Sequence, residues 1–200
     1  MNDIITIFPT SIMRKTFETS FTDEQINIFL SSEKRKGELN SNSLNTYILD
    51  LPEMKNIKEF CLQGMQDYLS EVMNVGDGVQ IYITQSWLNW TETGEAHHKH
   101  SHTNSIISGV FYISTEQDDS INFIKKNEPS FFIYPKEWTQ LNSHQCKIFA
   151  EEKNLLLFPS DLHHEVHVRE GSKTRISLSF NSYIKGTIGN RISLNELVLE

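Results

Sequence analysis

The chain has 200 residues, of which 38% are hydrophobic and 22% charged, the composition of an ordinary soluble globular protein long enough for a single domain. Its formal net charge is −8 and its one basic run is Lys34-Arg35-Lys36, which argues against a duplex nucleic acid as partner. No apolar run approaches the roughly 20 residues that cross a bilayer, and the first residues lack the pattern of a signal peptide, so no membrane partner is expected.

In chain order, Thr22-Asp23-Glu24-Gln25 reads as a capping box, with Phe21 and Ile26 at the two staple positions of the helix that follows. A second helix is expected from Asp50-Leu51-Pro52, since proline suits a first turn. Its apolar positions Ile57, Phe60, Cys61, Tyr68 and Val72 recur at helical spacing, and Asn74-Val75-Gly76 ends it. Such a helix needs a sheet to cover, and Cys61 reads as a small core residue. Cys146 is far from Cys61 and neither has CxxC spacing, so a cytoplasmic protein without a structural disulfide is expected.

From Val79 the pattern turns to β. Val79, Ile81, Ile83 and Trp87 alternate with Gln80, Tyr82, Thr84 and Ser86, the period of a half-buried strand. Further strands are predicted at Ser105–Ile113, Ile121–Lys125, Ser130–Tyr134, Lys147–Ala150, Asn154–Phe158, His164–Val168 and Thr174–Asn181. Many short strands punctuated by turns indicate a mainly β sandwich or barrel.

Seven of the eight histidines fall in two short segments, His97 to His102 and His163 to His167. Residues two apart on a strand share a face, so His100 and His102 can present two imidazoles together, as a metal with a facial ligand set requires. A third ligand must come from another strand. In the second segment His164, Val166 and Val168 share one face and His163, Glu165 and His167 the other. The second set is wholly polar and reads as the wet side, which leaves His164 as the inward candidate. The last of these strands has an apolar row, Ile176, Leu178 and Phe180, and a polar row, Arg175, Ser177, Ser179 and Asn181. The polar row faces either solvent or an internal cavity. In a cavity, the planar fork of Arg175 would suit a carboxylate.

This combination resembles the Fe(II)/2-oxoglutarate-dependent oxygenases, which share an HxD/E…H iron triad and an Arg-x-Ser motif after the distal histidine. Here Arg175-Ile176-Ser177 begins eleven residues after His164. The chain is most similar to a subgroup of oxygenases found in phages and aquatic bacteria, on Trp87-Leu88-Asn89, His100-Ser101-His102-Thr103-Asn104-Ser105 and Ser108-Gly109-Val110-Phe111-Tyr112. The likeness continues in Phe158-Pro159-Ser160-Asp161-Leu162-His163-His164-Glu165-Val166 and Arg175-Ile176-Ser177-Leu178-Ser179-Phe180-Asn181. The resemblance implies a double-stranded β-helix (jelly roll) with supporting N-terminal α-helices. It would form one domain over 1–200, with 1–78 as support and 79–200 as the jelly-roll core. It further implies Fe(II) held by His100, His102 and His164, and 2-oxoglutarate as cosubstrate gripped by Arg175 and Ser177. The substrate would be an unidentified small molecule or peptide.

The sequence departs from the family pattern at His102, which stands where the triad carboxylate belongs. Three neutral imidazoles also serve cupin-type dioxygenases that use no 2-oxoglutarate, and there Arg175 would bind the carboxylate of the substrate itself. Shifting the register to His102-Thr103-Asn104 would offer an amide instead, a poorer ligand. A β-barrel that binds metal or ligand without catalysis is the third alternative. In each case a metal held by imidazoles should be lost as pH falls through the unperturbed histidine range, near about 6.5.

Overall fold

Alternation along the strands sorts their side chains onto two faces, and two antiparallel sheets result. The computed structural model describes residues 3–76, 78–126 and 133–200. Its elements are β1 (Met13–Thr16), α1 (Asp23–Ser31), β2 (Lys34–Lys36), β3 (Ser41–Ser43), α2 (Lys55–Asp67), β4 (Val79–Thr91) and β5 (His97–His100). They continue as β6 (Ile107–Ser114), β7 (Ser120–Ile124), β8 (Gln145–Phe149), β9 (Asn154–Pro159), β10 (His163–Val166), β11 (Arg175–Ile188) and β12 (Leu197–Leu199). The large sheet runs β1-β9-β6-β11-β4-β3-β2, with β12 paired to β11, and the small sheet runs β5-β10-β7-β8. This is the expected mainly β, double-stranded β-helix architecture. Strands from before Val79 extend the large sheet as well as support it.

One face of the large sheet packs on the helices. Ile57, Cys61 and Met65 of α2 join Leu88, Leu155, Leu157, Leu178 and Phe180 in one buried cluster. Each fully buried aliphatic side chain there contributes roughly 1.5–3 kcal/mol. The alternate residues of the same strands, including Val110, Tyr112, Leu156 and Phe158, form a second cluster with Ile121 and Phe123 of the small sheet. Cys61 is buried and Cys146 exposed, both as free thiols.

The capping box forms: Gln25 N donates to Thr22 Oγ1 at 3.3 Å and Thr22 N to Gln25 Oε1 at 3.1 Å. Phe21 meets Phe29, with ring centroids 5.2 Å apart, while the expected staple partner Ile26 is 42% exposed. The second helix starts later than Asp50, because two 3-10 turns, Ile48–Asp50 and Pro52–Met54, come first. It ends in a π-helical segment, Tyr68–Val72, and Asn74 follows with φ of 51°, the left-handed conformation that closes a helix.

Three strand expectations need correction. Gln85 pairs with Asn181 but Ile83 with Ser182, so Thr84 is an extra residue that bulges β4. The bulge reverses the alternation, which puts Leu88 and Trp90 in the helix-side core and turns Trp87 to the opposite face. In the strand expected at Ser130–Tyr134, residues 130–132 lie outside the described residues, and Ile133 and Tyr134 belong to no strand. Finally, β11 runs on past Asn181 to Ile188 and pairs there with β12, a strand that the sequence reading did not anticipate.

Gly109 of β6 lies against Phe180, and a Cβ at that position would stand 2.1 Å from Phe180 Cζ. Gly109→Ala therefore displaces a core ring and should cost about 1–3 kcal/mol. A chain of this size loses about 2–4 °C of Tm per kcal/mol, so calorimetric melting checks the packing, and Phe180→Leu should recover part of the loss in the double variant. An unchanged Tm in Gly109→Ala would contradict this contact.

Candidate metal centre

The small sheet brings the two histidine segments side by side. In the pairing of β10 with β5, His164 stands opposite His100. His164 is 5% exposed and faces the space between the sheets together with Val166, the face that strand parity selects. On the other face, His167 is largely exposed and its Nε2 lies 3.0 Å from Glu165 Oε1. His163 is half-buried, and its Nδ1 has no hydrogen-bond partner among the described residues.

His102 reaches the site by another route than the one expected. β5 stops at His100, so strand alternation does not align the two rings. The backbone N–H of His102 instead donates to Ser160 O at 2.8 Å, which draws the segment after β5 across to the end of β9. Asn104, the alternative ligand, is exposed in a turn with φ of 54°.

One ligand atom from each of His100, His102 and His164 falls within a group no more than 4.8 Å across. His100 Nδ1 lies 2.8 Å from His98 O and His164 Nδ1 lies 3.0 Å from Leu162 O. A proton on Nδ1 satisfies each carbonyl and leaves the Nε2 lone pair free for a metal, an orientation typical of ligating histidines. His102 Nε2 and His164 Nε2 are 3.3 Å apart. Two ligands about 2.0–2.1 Å from one ion and at a right angle would be roughly 3 Å apart, so a divalent cation fits the donor set. Burial pushes His164 down to about 3, against the opposing hydrogen bond to Leu162 O and with help from His100, and burial followed by the neighbouring His100 pushes His102 down to about 4, with a hydrogen bond to Asn181 opposing. His100 is lowered too, first by burial. All three rings are therefore neutral, the ligating form, at ordinary pH.

The facing wall comes from β4 and β11 of the large sheet, including Trp87, Asn89, Arg175, Ser177 and Ser179. The polar row of β11 thus faces the cavity rather than solvent. Trp87 stacks on the His102 ring with centroids 6.1 Å apart. Its Nε1 donates to Asn89 Oδ1 at 3.1 Å, and Asn89 Nδ2 donates to Ser179 Oγ at 2.9 Å. Arg175 is 4% exposed, donates from Nη1 to Ser120 O at 2.9 Å, and has Cζ 5.2 Å from the centre of the Tyr112 ring. Arg175 has no carboxylate within ion-pair distance among the described residues, whereas the other buried arginine, Arg169, has both Asp119 and Glu116. The fully buried Tyr112 Oη also has no hydrogen-bond partner among the described residues. No site role was expected for His97, Trp87, Asn89 or Tyr112, although the stretches Trp87-Leu88-Asn89 and Ser108-Gly109-Val110-Phe111-Tyr112 contain three of them.

Residues 85–181 match the family described as "Putative 2OG-Fe(II) oxygenase". The match spans just under half of the chain and contains every candidate site residue, and its class agrees with the expected oxygenase using Fe(II) and 2-oxoglutarate. No curated protein matches the sequence. HygX from Streptomyces hygroscopicus, solved with nickel, 2-oxoglutarate and hygromycin B, is similar in fold with a TM-score of 0.60 at 9% identity, over 86% of this chain and 82% of that one. A Pseudomonas putida prolyl-4-hydroxylase gives a TM-score of 0.56 at 10% identity, over 86% and 92%. The Trichoplax adhaerens prolyl hydroxylase, solved with a hypoxia-inducible-factor peptide, gives 0.57 at 15%, over 86% and 83%. At these identities the likeness is one of fold.

Two tests follow from the site. His100→Ala, His102→Ala or His164→Ala should each weaken Mn(II) or Co(II) binding by more than the 10–100-fold typical of losing an outer partner, while His163→Ala and His167→Ala stay close to the parent. A titration in which His163→Ala abolishes binding and His164→Ala does not would reverse the assignment of faces.

The pH window also moves. Since His164 and His102 sit at about 3 and about 4 and His100 is lowered as well, metal affinity of the folded protein should begin to fall at a lower pH than the value of about 6.5 for ordinary imidazoles. Fold stability behaves differently, because the unfolded chain takes up protons first. The contribution of the neutral rings is complete above about 6.5 and is lost as pH falls toward their folded values. Co(II) titrations at pH 7 and 5.5 should agree within a few-fold; a large loss at 5.5 would mark ordinary solvated imidazoles.

Proposed function

We propose that the protein is an Fe(II)/2-oxoglutarate-dependent oxygenase in which His100, His102 and His164 hold the metal and Arg175 with Ser177 grips the far carboxylate of the cosubstrate. The observation that carries this reading is Arg175. A buried guanidinium without an anion is costly, and here it shares one pocket with the imidazole cluster. A dicarboxylate lying between them would neutralise the charge, and the Tyr112 hydroxyl would gain a partner. With iron bound, reaction of dioxygen with 2-oxoglutarate supplies the oxidising power for C–H hydroxylation and leaves succinate and carbon dioxide.

The chain's own contribution is binding and charge. His102 in place of a carboxylate leaves the cation with its full 2+ charge, so the loaded pocket, with Arg175, carries three positive charges against the two negative charges of 2-oxoglutarate. The same feature weakens the hold on the metal. It also favours a second reading, a three-histidine dioxygenase in which Arg175 binds the substrate's own carboxylate. The shared motifs support a place among the oxygenases of phages and aquatic bacteria. We take the chain to form one domain acting in a cytoplasm on a small molecule or a peptide, the kinds of partner seen with HygX and the Trichoplax enzyme.

Calorimetric titration of 2-oxoglutarate into anaerobic, metal-loaded protein tests the reading. Charge-assisted contacts of this kind are worth roughly 1.5–3 kcal/mol, or about one to two powers of ten in affinity. Arg175→Lys should weaken binding, since it keeps the charge but loses the fork, and Arg175→Met should weaken it further with metal binding intact. Without ligand, Arg175→Met should melt no lower than the parent, because it removes an unpaired buried charge. Absence of binding to the parent would favour the three-histidine dioxygenase or a β-barrel that binds metal or ligand without catalysis.

A further inference from the structure

A second bulge brings a fourth imidazole into the pocket. Across β5 and β10, His100 stands opposite His164 and His97 opposite Val166. Three steps on β5 thus match two on β10, and one residue of β5 is extra. In a regular strand, residues three apart face opposite sides. With the bulge, His97 and His100 both line the pocket, their ring centroids 4.3 Å apart, and the intervening His98 is exposed. Bulges beside functional sites commonly serve to re-aim one side chain.

The segment leading to His97 is held firmly. Ala96 N donates to Leu39 O at 3.2 Å, Arg169 N to Glu95 O at 2.8 Å and Gly94 N to Arg169 O at 2.8 Å. The ring itself has no hydrogen bond among the described residues, and it lies outside the ligand group formed by His100, His102 and His164. An imidazole on an anchored backbone that faces the same pocket as Arg175, packs on His100 and has no hydrogen-bond partner among the described residues is placed to meet a bound acid.

We propose that His97 is a cosubstrate-binding residue whose ring N–H donates to the metal-proximal carboxylate of the 2-oxo acid. The assignment rests on the oxygenase reading and adds to it a residue that anchors the metal-proximal end of the cosubstrate, as Arg175 anchors the far end. A neutral donor suits that position, since a cation there would add to the charge of the metal.

The test is paired calorimetry on anaerobic protein, first with Mn(II) and then with 2-oxoglutarate, for the parent, His97→Ala, His97→Gln and His100→Ala. His97→Ala should bind Mn(II) within about threefold of the parent, which also reports an intact fold, and should bind 2-oxoglutarate about 10- to 100-fold more weakly, the loss of one hydrogen bond to a charged group. His97→Gln retains an N–H and should recover part of that loss; it carries the test if the alanine variant fails to fold. Unchanged 2-oxoglutarate binding in both variants overturns the proposal. So does a loss of Mn(II) affinity as large as that of His100→Ala, which would make His97 a ligand. A parent that binds Mn(II) but no 2-oxoglutarate overturns the oxygenase reading itself and this assignment with it.

Discussion

The large sheet has to bury both of its faces, and β11 shows what that demands. Ile176, Leu178 and Phe180 are at most 5% exposed on the helix side. Their burial fixes the register of β11 between β4 and β6, because a slip of one residue would exchange the two faces. Arg175, Ser177 and Ser179 are therefore directed between the sheets by the apolar residues that alternate with them. The helix-side core thus enforces the polarity of the pocket. The small sheet meets that polar wall with His100 and His164, one from each of two paired strands, and the site lies where the two requirements meet.

The electrostatics of the pocket run against those of the whole chain. The net charge is −8, yet no carboxylate lines the pocket among the described residues. Its ionisable lining consists of depressed, neutral imidazoles and one guanidinium. Such a lining carries one positive charge while empty and three once a divalent ion is bound. Ligand order follows from this, since a dianion gains most from the pocket after the metal has entered. At low dielectric that coupling is much larger than at the surface, so metal and acid should bind with positive cooperativity.

Much of this arrangement was legible in the sequence. Period-2 alternation located the polar and apolar rows of β11, and parity within the second histidine segment separated His164 from His163 and His167. The failures share one physical origin. A bulge is fixed by the register between a strand and its partner, and that register is set by residues far away in the chain. Local alternation therefore misplaced Trp87, which lies beyond the Thr84 bulge, and gave no hint that His97 turns inward with His100. His102 joins the cluster by another route than the expected strand alternation, since its position depends on a hydrogen bond to Ser160 rather than on a continuous strand. The unsatisfied Tyr112 Oη is a property of packing between the sheets, which periodicity cannot show.

The two ends of the pocket also have to be held in a fixed relation, and Arg169 serves this purpose. It sits in the connection from β10 to β11, five residues after His164 and six before Arg175. Its guanidinium forms two hydrogen bonds with Asp119, at 2.5 and 3.2 Å, one with Glu116 at 2.7 Å and one with Thr91 O at 3.2 Å. The β6–β7 turn, the end of β4 and the β10–β11 connection thus close on one cation. Arg169 and Asp119 are both nearly inaccessible, and breaking such a buried pair from one side costs about 3–5 kcal/mol. A Cβ at Gly171 would stand 2.0 Å from Glu116 Oε2, so a side chain there would displace that carboxylate from Arg169. The contrast with Arg175 is informative, because among the described residues the fold supplies two carboxylates to one buried arginine and none to the other. The paired arginine holds the connection between the triad strand and β11, and the unpaired one leaves its positive charge for a ligand to neutralise.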